Sequence, residues 1–261
     1  MQITTWNVNS LTARLDRTEA WLSAQQSDVL CLQELKLETA KFPHERFAAL
    51  GYRAIAFGQK TYNGVAILAR QTLPEFSDVV LGVPGFADEQ SRALAATLGD
   101  TRIINLYVVN GQAVGSDKFA YKLRWLDAVS AWLADEIARH ERLVVVGDFN
   151  IAPTDADVHD AAAWAGQVLC TDAERAVFQH WLALGLVDCF RRFPQPPNTF
   201  SWWDYRMLAF PKNHGLRIDH ILATPALAET CLSCVIDRNE RKGNAENRPS
   251  DHAPVTARFA R

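Results

Sequence analysis

A helix-to-strand unit that finishes in an acid occurs twice in this chain, and it constrains the fold more than any other feature. In the first copy an amphipathic helix runs from about Arg14 to Gln26, with Leu15, Trp21, Leu22 and Gln25 marking its faces. The apolar segment DVLCLQE follows and ends at Glu34. In the second copy Leu123, Leu126, Val129, Trp132, Leu133 and Ile137 recur at helical spacing between about Tyr121 and Arg139, and LVVVGDFN follows. The branched apolar run from Val144 to Val146 reads as a buried strand that delivers Asp148 and Asn150 where it meets its loop. Further strand-like segments are GVAILAR, RALAATL and TRIINLYVV, the last two joined at Gly99-Asp100 by a tight hairpin turn. A further pair of helices is expected near Thr171 to Leu184, and TFSWWDY, RIDHILA and APVTARF supply strands to the last third. Strands and helices alternate without strict βαβ order, which predicts an α/β fold of two packed mixed β-sheets flanked by helices, in a single domain over residues 1–261. Pro84 to Gln90, Phe193 to Asn198 and Asn239 to Pro249 are rich in Gly, Pro and polar residues and are read as surface loops.

Composition excludes several classes of protein. With 48% apolar and 22% charged residues the chain buries a large core, and disorder is not a live option. A formal net charge of -3 argues against coating nucleic acid or anionic membrane by bulk electrostatics, so a polyanionic partner must be met by a local patch. The five cysteines are an odd number and sit mostly in apolar surroundings, from which a reduced, cytoplasmic protein is expected. Cys231 and Cys234 form a C-x-x-C without a second pair and are read as packing. The segment MQITTWNVNS has no basic stretch followed by an apolar one, and no apolar run approaches about 18 residues, so neither export nor a membrane partner is expected.

Polar groups cluster at the ends of apolar strands, where open sheets usually bind ligands. Asn7 follows ITTW, and Glu34 follows DVLCLQ. Tyr107 and Asn110 end RIINLYVVN, Asp148 and Asn150 end VVVGDFN, and Asp219 and His220 interrupt RIDHILA. Ser250-Asp251-His252 precedes the last strand. One such residue ordinarily forms a turn or caps a helix. Their recurrence marks a shared crevice. In an extended segment Asp148 and Asn150 project to one side while Phe149 turns to the core, and Gly147 leaves room for close approach. The same alternation sends His220 to the face opposite Asp219, so His220 is read as structural.

The ordered set WNVNSL, LQELK, GVAIL, GDFNIAP, GLRIDHIL and PSDHAPV resembles the successive motifs of the exonuclease III family of DNA repair nucleases, within the DNase I-like endonuclease/exonuclease/phosphatase superfamily. KFAYK and FSWWDYR are similar to exonuclease III itself more than to the lipid and inositol phosphatases. The resemblance implies a four-layer α/β sandwich. It also implies a metal-dependent hydrolase acting on duplex DNA with abasic sites, nicks or blocked 3′ ends, as abasic-site endonuclease, 3′-5′ exonuclease and 3′ phosphatase. A monomer is expected. Phosphodiester hydrolysis needs relief of charge on phosphate oxygens, which a hard cation such as Mg²⁺, or Mn²⁺, supplies through oxygen ligands.

By the same resemblance Glu34 is the principal metal ligand, with Asn7 beside it and Asp251 contributing. Asp148 activates or orients water, Asn150 holds the phosphate region, and Asp219 fixes a protonated His252 against the phosphate. Tyr107 lies near the scissile phosphate, although YVVNG stands where the exonuclease III pattern has YFPQG. Lys118, Lys122, Arg206 and Arg217 are expected to follow DNA phosphates, together with Lys212, Arg241, Lys242 and Arg248. Trp202 would line the pocket for a flipped-out abasic sugar or a frayed 3′ nucleotide, with Trp203 in the core. The balance among activities is expected to depend on the loops at Val168 to Thr171 and Leu208 to Asn213. A Leu169 side chain intruding into the pocket would spare 3′ trimming while blocking abasic-site cleavage. Competing readings are a 3′-end-processing enzyme with little abasic-site activity, a lipid or sugar-phosphate phosphatase, and a non-catalytic nucleic-acid-binding relative.

Overall fold

The computed structural model describes residues 1–243 and 247–260. Part of the loop expected at Asn239 to Pro249, residues 244–246, lies outside them. In chain order the strands are β1 (Gln2–Asn7), β2 (Val29–Gln33), β3 (Tyr52–Phe57), β4 (Val65–Arg70), β5 (Phe76–Leu81), β6 (Ala93–Leu98), β7 (Thr101–Tyr107), β8 (Leu143–Asp148), β9 (Val187–Asp188), β10 (Asp219–Ala223), β11 (Cys231–Ile236) and β12 (Val255–Phe259). The helices that matter for the site are α1 (Leu11–Gln25), α2 (His44–Ala49), α3 (Asp117–Arg139), α4 (Ala161–Trp164) and α5 (Asp172–Ala183).

The strands form two six-stranded sheets, ordered β11-β12-β1-β2-β4-β3 and β5-β6-β7-β8-β10-β9. Each holds one parallel pair, β1 with β2 and β7 with β8, and the remaining pairs are antiparallel. Those parallel pairs are the two helix-to-strand units of the sequence, since α1 and α3 are the crossovers that parallel neighbours require.

Alternation along the strands builds three apolar layers. Ile3, Val29, Cys31 and Ile67 of one sheet meet Leu94, Ile103, Val144, Val146 and Ile221 of the other in the central core. Trp6, Leu30, Leu32 and Leu68 face outward onto Leu11, Trp21, Leu22 and Phe47 of α1 and α2. Leu143, Val145, Ile104 and Leu106 face the other way onto Trp125, Leu126, Val129 and Leu133 of α3 and Phe178 and Trp181 of α5. Layers therefore run helix, sheet, sheet, helix, the DNase I-like sandwich. A strand covered on both faces has no polar side to show, which explains the unbroken VVV run of β8.

Several boundaries differ from expectation for local reasons. Helix α1 starts at Leu11, ahead of Arg14, because the Ser10 hydroxyl caps it by accepting from Ala13 N. Helix α3 starts at Asp117, ahead of Tyr121, because Ser116 accepts from Phe119 N at 3.1 Å. The stretch Thr171 to Leu184 holds one helix, α5, where a pair was expected; Thr171 and Glu174 close a capping box at its start. TFSWWDY is not a strand. Trp202 makes isolated bridges to Leu216 and His252, and Ser201 Oγ accepts from the backbone of Ile218 and Asp219, so the segment stitches loops instead of extending a sheet. Cys231 and Cys234 lie on β11 in the central core, and all five thiols are free and buried. No helix among the described residues is long and apolar enough to cross a membrane.

Candidate active site

Register places the chemistry. On the second sheet Asp148 is the partner of Tyr107 on β7 and of Asp219 on β10, so three polar side chains form one row across adjacent strands. On the first sheet Asn7 ends β1 beside Gln33, and Glu34 follows at the end of β2. His252 enters from the segment before β12. The close packing beneath this row depends on Gly147, at φ 144°, where an added Cβ would sit 1.9 Å from Leu106 O.

Asn7 joins the two sheets. Its Nδ2 donates to Glu34 Oε2 at 3.0 Å and to Asp148 Oδ2 at 2.9 Å, and its Oδ1 accepts from Asn9 N at 2.9 Å. The amide oxygen is thus turned away from the acids. Asn7 therefore bridges the two carboxylates through its amide nitrogen, while its oxygen, the atom expected to meet a metal, accepts from Asn9. Glu34 adopts a left-handed φ of 57°, and its other oxygen pairs with Lys36 Nζ at 2.9 Å.

Asp148 also accepts from Asn150 N at 2.9 Å and Asn150 Nδ2 at 3.3 Å. Asn150 is not extended as the alternation argument supposed. It sits at φ 48°, and a chain reversal, not a two-residue repeat, brings its amide back to Asp148. Phe149 is fully buried among Phe178, Trp181 and His220. His252 holds Asp219 through Nδ1, at 2.9 Å and 3.1 Å from its two oxygens, and its Nε2 lies 3.7 Å from Asp148 Oδ2. Asp251 accepts from Asn9 Nδ2 at 2.8 Å and from Trp202 Nε1 at 3.0 Å.

Burial sets the electrostatics. It lifts Asp148 to about 7, with Asp219 adding to the rise and His252 opposing it. Burial would lower His252, but Asp219 and Asp148 outweigh it and hold the imidazole at about 10. Burial would likewise raise Asp251, yet His252 and its two donors leave it below the ordinary carboxylate value. Tyr107 is pushed well above the usual phenol range by burial and by neighbouring Glu34 and Asp148, so it stays a protonated donor. The guanidinium of Arg92 lies 4.8 Å over its ring.

An acidic hollow beside an imidazolium fits a hard divalent cation. Asp148, Asp219 and His252 can each bring one ligand atom within 4.8 Å of the others. His252 is already committed between two carboxylates, however. Glu34 lies outside that trio, with its oxygens on Asn7 and Lys36, and Asp251 meets Asn9 and Trp202.

The expected DNA contacts separate into two groups. Lys122 and Arg217 are fully buried, a correction to their expected role: Lys122 pairs with Glu174, and Arg217 with Asp157 and Asp188. Lys118 lines a solvent-open cavity of about 810 Å³ with Arg92, Asn110, Gln112 and Tyr121, and Arg206 is exposed and paired with Asp204. Trp202 is half-buried beside Asp251, whereas Trp203 is in the core. His220, as expected, is structural: Nε2 meets Ile151 O at 2.9 Å and Nδ1 meets Arg217. Two residues with no role in the sequence reading also touch the site, Asn9 and Arg92. Asn9 lay within WNVNSL, but nothing in its spacing marked it as the donor to Asp251.

A DNase I-like sandwich carrying an acid, a carboxylate-held imidazolium and a buried phenol at its strand ends defines a metal-dependent phosphodiesterase. Residues 4–252 match the Endonuclease/Exonuclease/phosphatase family, and the chain belongs to it. It is 36% identical to an exodeoxyribonuclease III of Haemophilus influenzae, covering 99% of this chain and 100% of that one. A 3′ phosphatase from Neisseria, solved with a product DNA hairpin, superposes with a TM-score of 0.95 at 45% identity, covering 100% of this chain and 99% of that one. An AP endonuclease from Archaeoglobus fulgidus gives 0.92 at 35% identity, with 99% of both chains covered. The chain is a DNA repair hydrolase of the exonuclease III type.

Proposed function

We propose that this enzyme uses Mg²⁺, or Mn²⁺ in its place, to hydrolyse phosphate esters in duplex DNA at abasic sites and at nicks or ends blocked on the 3′ side. The reading is carried by one observation: His252, held at Nδ1 by Asp219 at 2.9 Å, brings its Nε2 to 3.7 Å from Asp148 Oδ2 in one buried hollow. Glu34, with Asp251, would hold the ion, which when bound offsets charge building on a phosphate oxygen. Asp148 takes the proton of the attacking water, a task suited to a base whose pKa lies near the working pH. Asp219 fixes the Nδ1–H of His252, leaving Nε2–H to donate to a non-bridging oxygen. Tyr107 and the Asn150 amide donate from the flanks.

The test is a substrate panel on wild type and Asp148→Asn. The near-isosteric change leaves fold and DNA binding intact and lowers turnover by roughly 10²- to 10⁴-fold. Unchanged turnover would remove Asp148 from this role.

Leu169 favours a second reading, in which 3′ ends are trimmed and internal abasic sites are cut poorly. Its backbone is left-handed at φ 78°, and its side chain packs with Leu216 and Ile218 against Trp202, the residue assigned to the sugar pocket. Leu169→Gly should raise incision of an internal abasic duplex relative to phosphate release from a 3′-phosphate nick. Efficient internal cutting by the wild type would refute the blocked pocket.

A further inference from the structure

Lys122, read from the sequence as a phosphate contact, is the centre of a closed and fully buried polar network. Its Nζ donates to Asn150 O at 2.7 Å, to Asn110 O at 3.1 Å, and to Glu174 Oε1. An ammonium has three protons, and all three are used. Glu174 accepts at Oε1 from Leu169 N at 3.0 Å as well. At Oε2 it accepts from Thr171 N at 3.0 Å and from Thr171 Oγ1 at 2.6 Å. Its acceptor sites are equally full.

Both side chains are 0% exposed. Replacing a buried ion pair by apolar residues of the same volume is often neutral or stabilising, so stability is a weak reason for its presence. Its partners give a better one. They are three loops that converge on the site: the one after β7 through Asn110, the one after β8 through Asn150, and the one before α5 through Leu169 and Thr171. Two of the residues held have positive φ, Asn150 at 48°, which asparagine tolerates, and Leu169 at 78°, which a leucine adopts only when its surroundings impose it. The Asn150 reversal is what returns its Nδ2 to Asp148, and Asn110 Nδ2 donates to Asn150 Oδ1 at 3.1 Å from the same anchor. Leu169 is gripped on its other side too, where its carbonyl accepts from Ala152 N at 2.8 Å.

We propose that Lys122 and Glu174 are a positioning pair for the hydrolytic reaction: they clamp the backbones of Asn150 and Leu169 and so fix the catalytic amide and the wall beside Trp202 as one unit. Neither touches substrate. The proposal rests on the hydrolase reading above.

The test measures phosphate release from a duplex with a 3′-phosphate nick, by wild type, Lys122→Met and Glu174→Gln, in the presence of Mg²⁺. Assays run below each variant's thermal midpoint, with circular dichroism confirming the folded state. Glu174→Gln is close to isosteric and keeps the test informative if Lys122→Met does not fold. A displaced Asn150 amide predicts a fall in kcat of roughly 100-fold with KM for the nick nearly unchanged. Unaltered kcat in a folded variant, or a loss no larger than the unfolded fraction, would overturn the clamp. A wild type that releases no phosphate would instead sink the hydrolase reading and the clamp together.

Discussion

His252 and Asp148 lie 3.7 Å apart, and the same burial drives both toward neutrality, yet only Asp148 follows it. The difference is Asp219, whose charge the imidazole keeps and Asp148 feels as repulsion. In the metal-free protein, His252 should therefore remain protonated at pH 8 when followed by NMR, and Asp219→Asn should bring its titration back toward 6.5. An imidazole already neutral at pH 8 in the wild type would contradict this. Asp157 shows the opposite balance away from the site. Burial would raise it, but Arg217 and Arg191 bring it down to about 2. A lowered carboxylate contributes stability above its ordinary value near 3.8 and loses it as pH falls through about 2. Asp157→Asn should cost about 2 kcal/mol at pH 7, and its deficit in denaturant titrations should close in acid. The meeting of Asp148, Asp219 and His252 in one hollow was legible where motif and spacing agreed. The partners of Lys122 and Arg217 were not legible, because a basic side chain does not disclose whether its partner is a phosphate or a buried carboxylate, and Glu174, Asp157 and Asp188 lie 52, 60 and 29 residues away in sequence. The same limit hid the amide orientation of Asn7.

Strand β8 shows what an element adds. Its apolar run, its glycine and its terminal acid were all readable, and the register then supplied what no single segment carries, the row of Tyr107, Asp148 and Asp219. Gly147→Ala should break that row. The new methyl has Leu106 O at 1.9 Å, and the carbonyl is backbone in a buried parallel pair, so it cannot yield cheaply. A loss of roughly 3 kcal/mol or more is expected in chemical denaturation; a variant as stable as wild type would show that β7 and β8 do not approach so closely. Elements escaped the sequence where periodicity was weak. Strand β5 is an edge strand, largely exposed and bulged between Ser77 and Val80, so it has no apolar alternation to detect. In TFSWWDY the aromatic content imitated a strand, but loop contacts decided its course.

Across the whole molecule, the two sheets make one core and share one site, with the first contributing Asn7 and Glu34 and the second Tyr107, Asp148 and Asp219. Each site carboxylate already has protein partners, so the fold does not depend on the ion. EDTA should abolish turnover, added Mg²⁺ or Mn²⁺ should restore it, and far-ultraviolet circular dichroism should not change; turnover that survives chelation would end the metal-dependent account. The pairing of β1 with β12 has a separate effect. Asn7 closes the first described strand and His252 comes just before the last, so the halves of the catalytic hollow are among the most distant segments in sequence to be joined. Closure of β1 against β12 therefore sets Asn7, bonded to Glu34 and Asp148, across the hollow from His252, bonded to Asp219; with either strand undocked the hollow keeps only part of its lining.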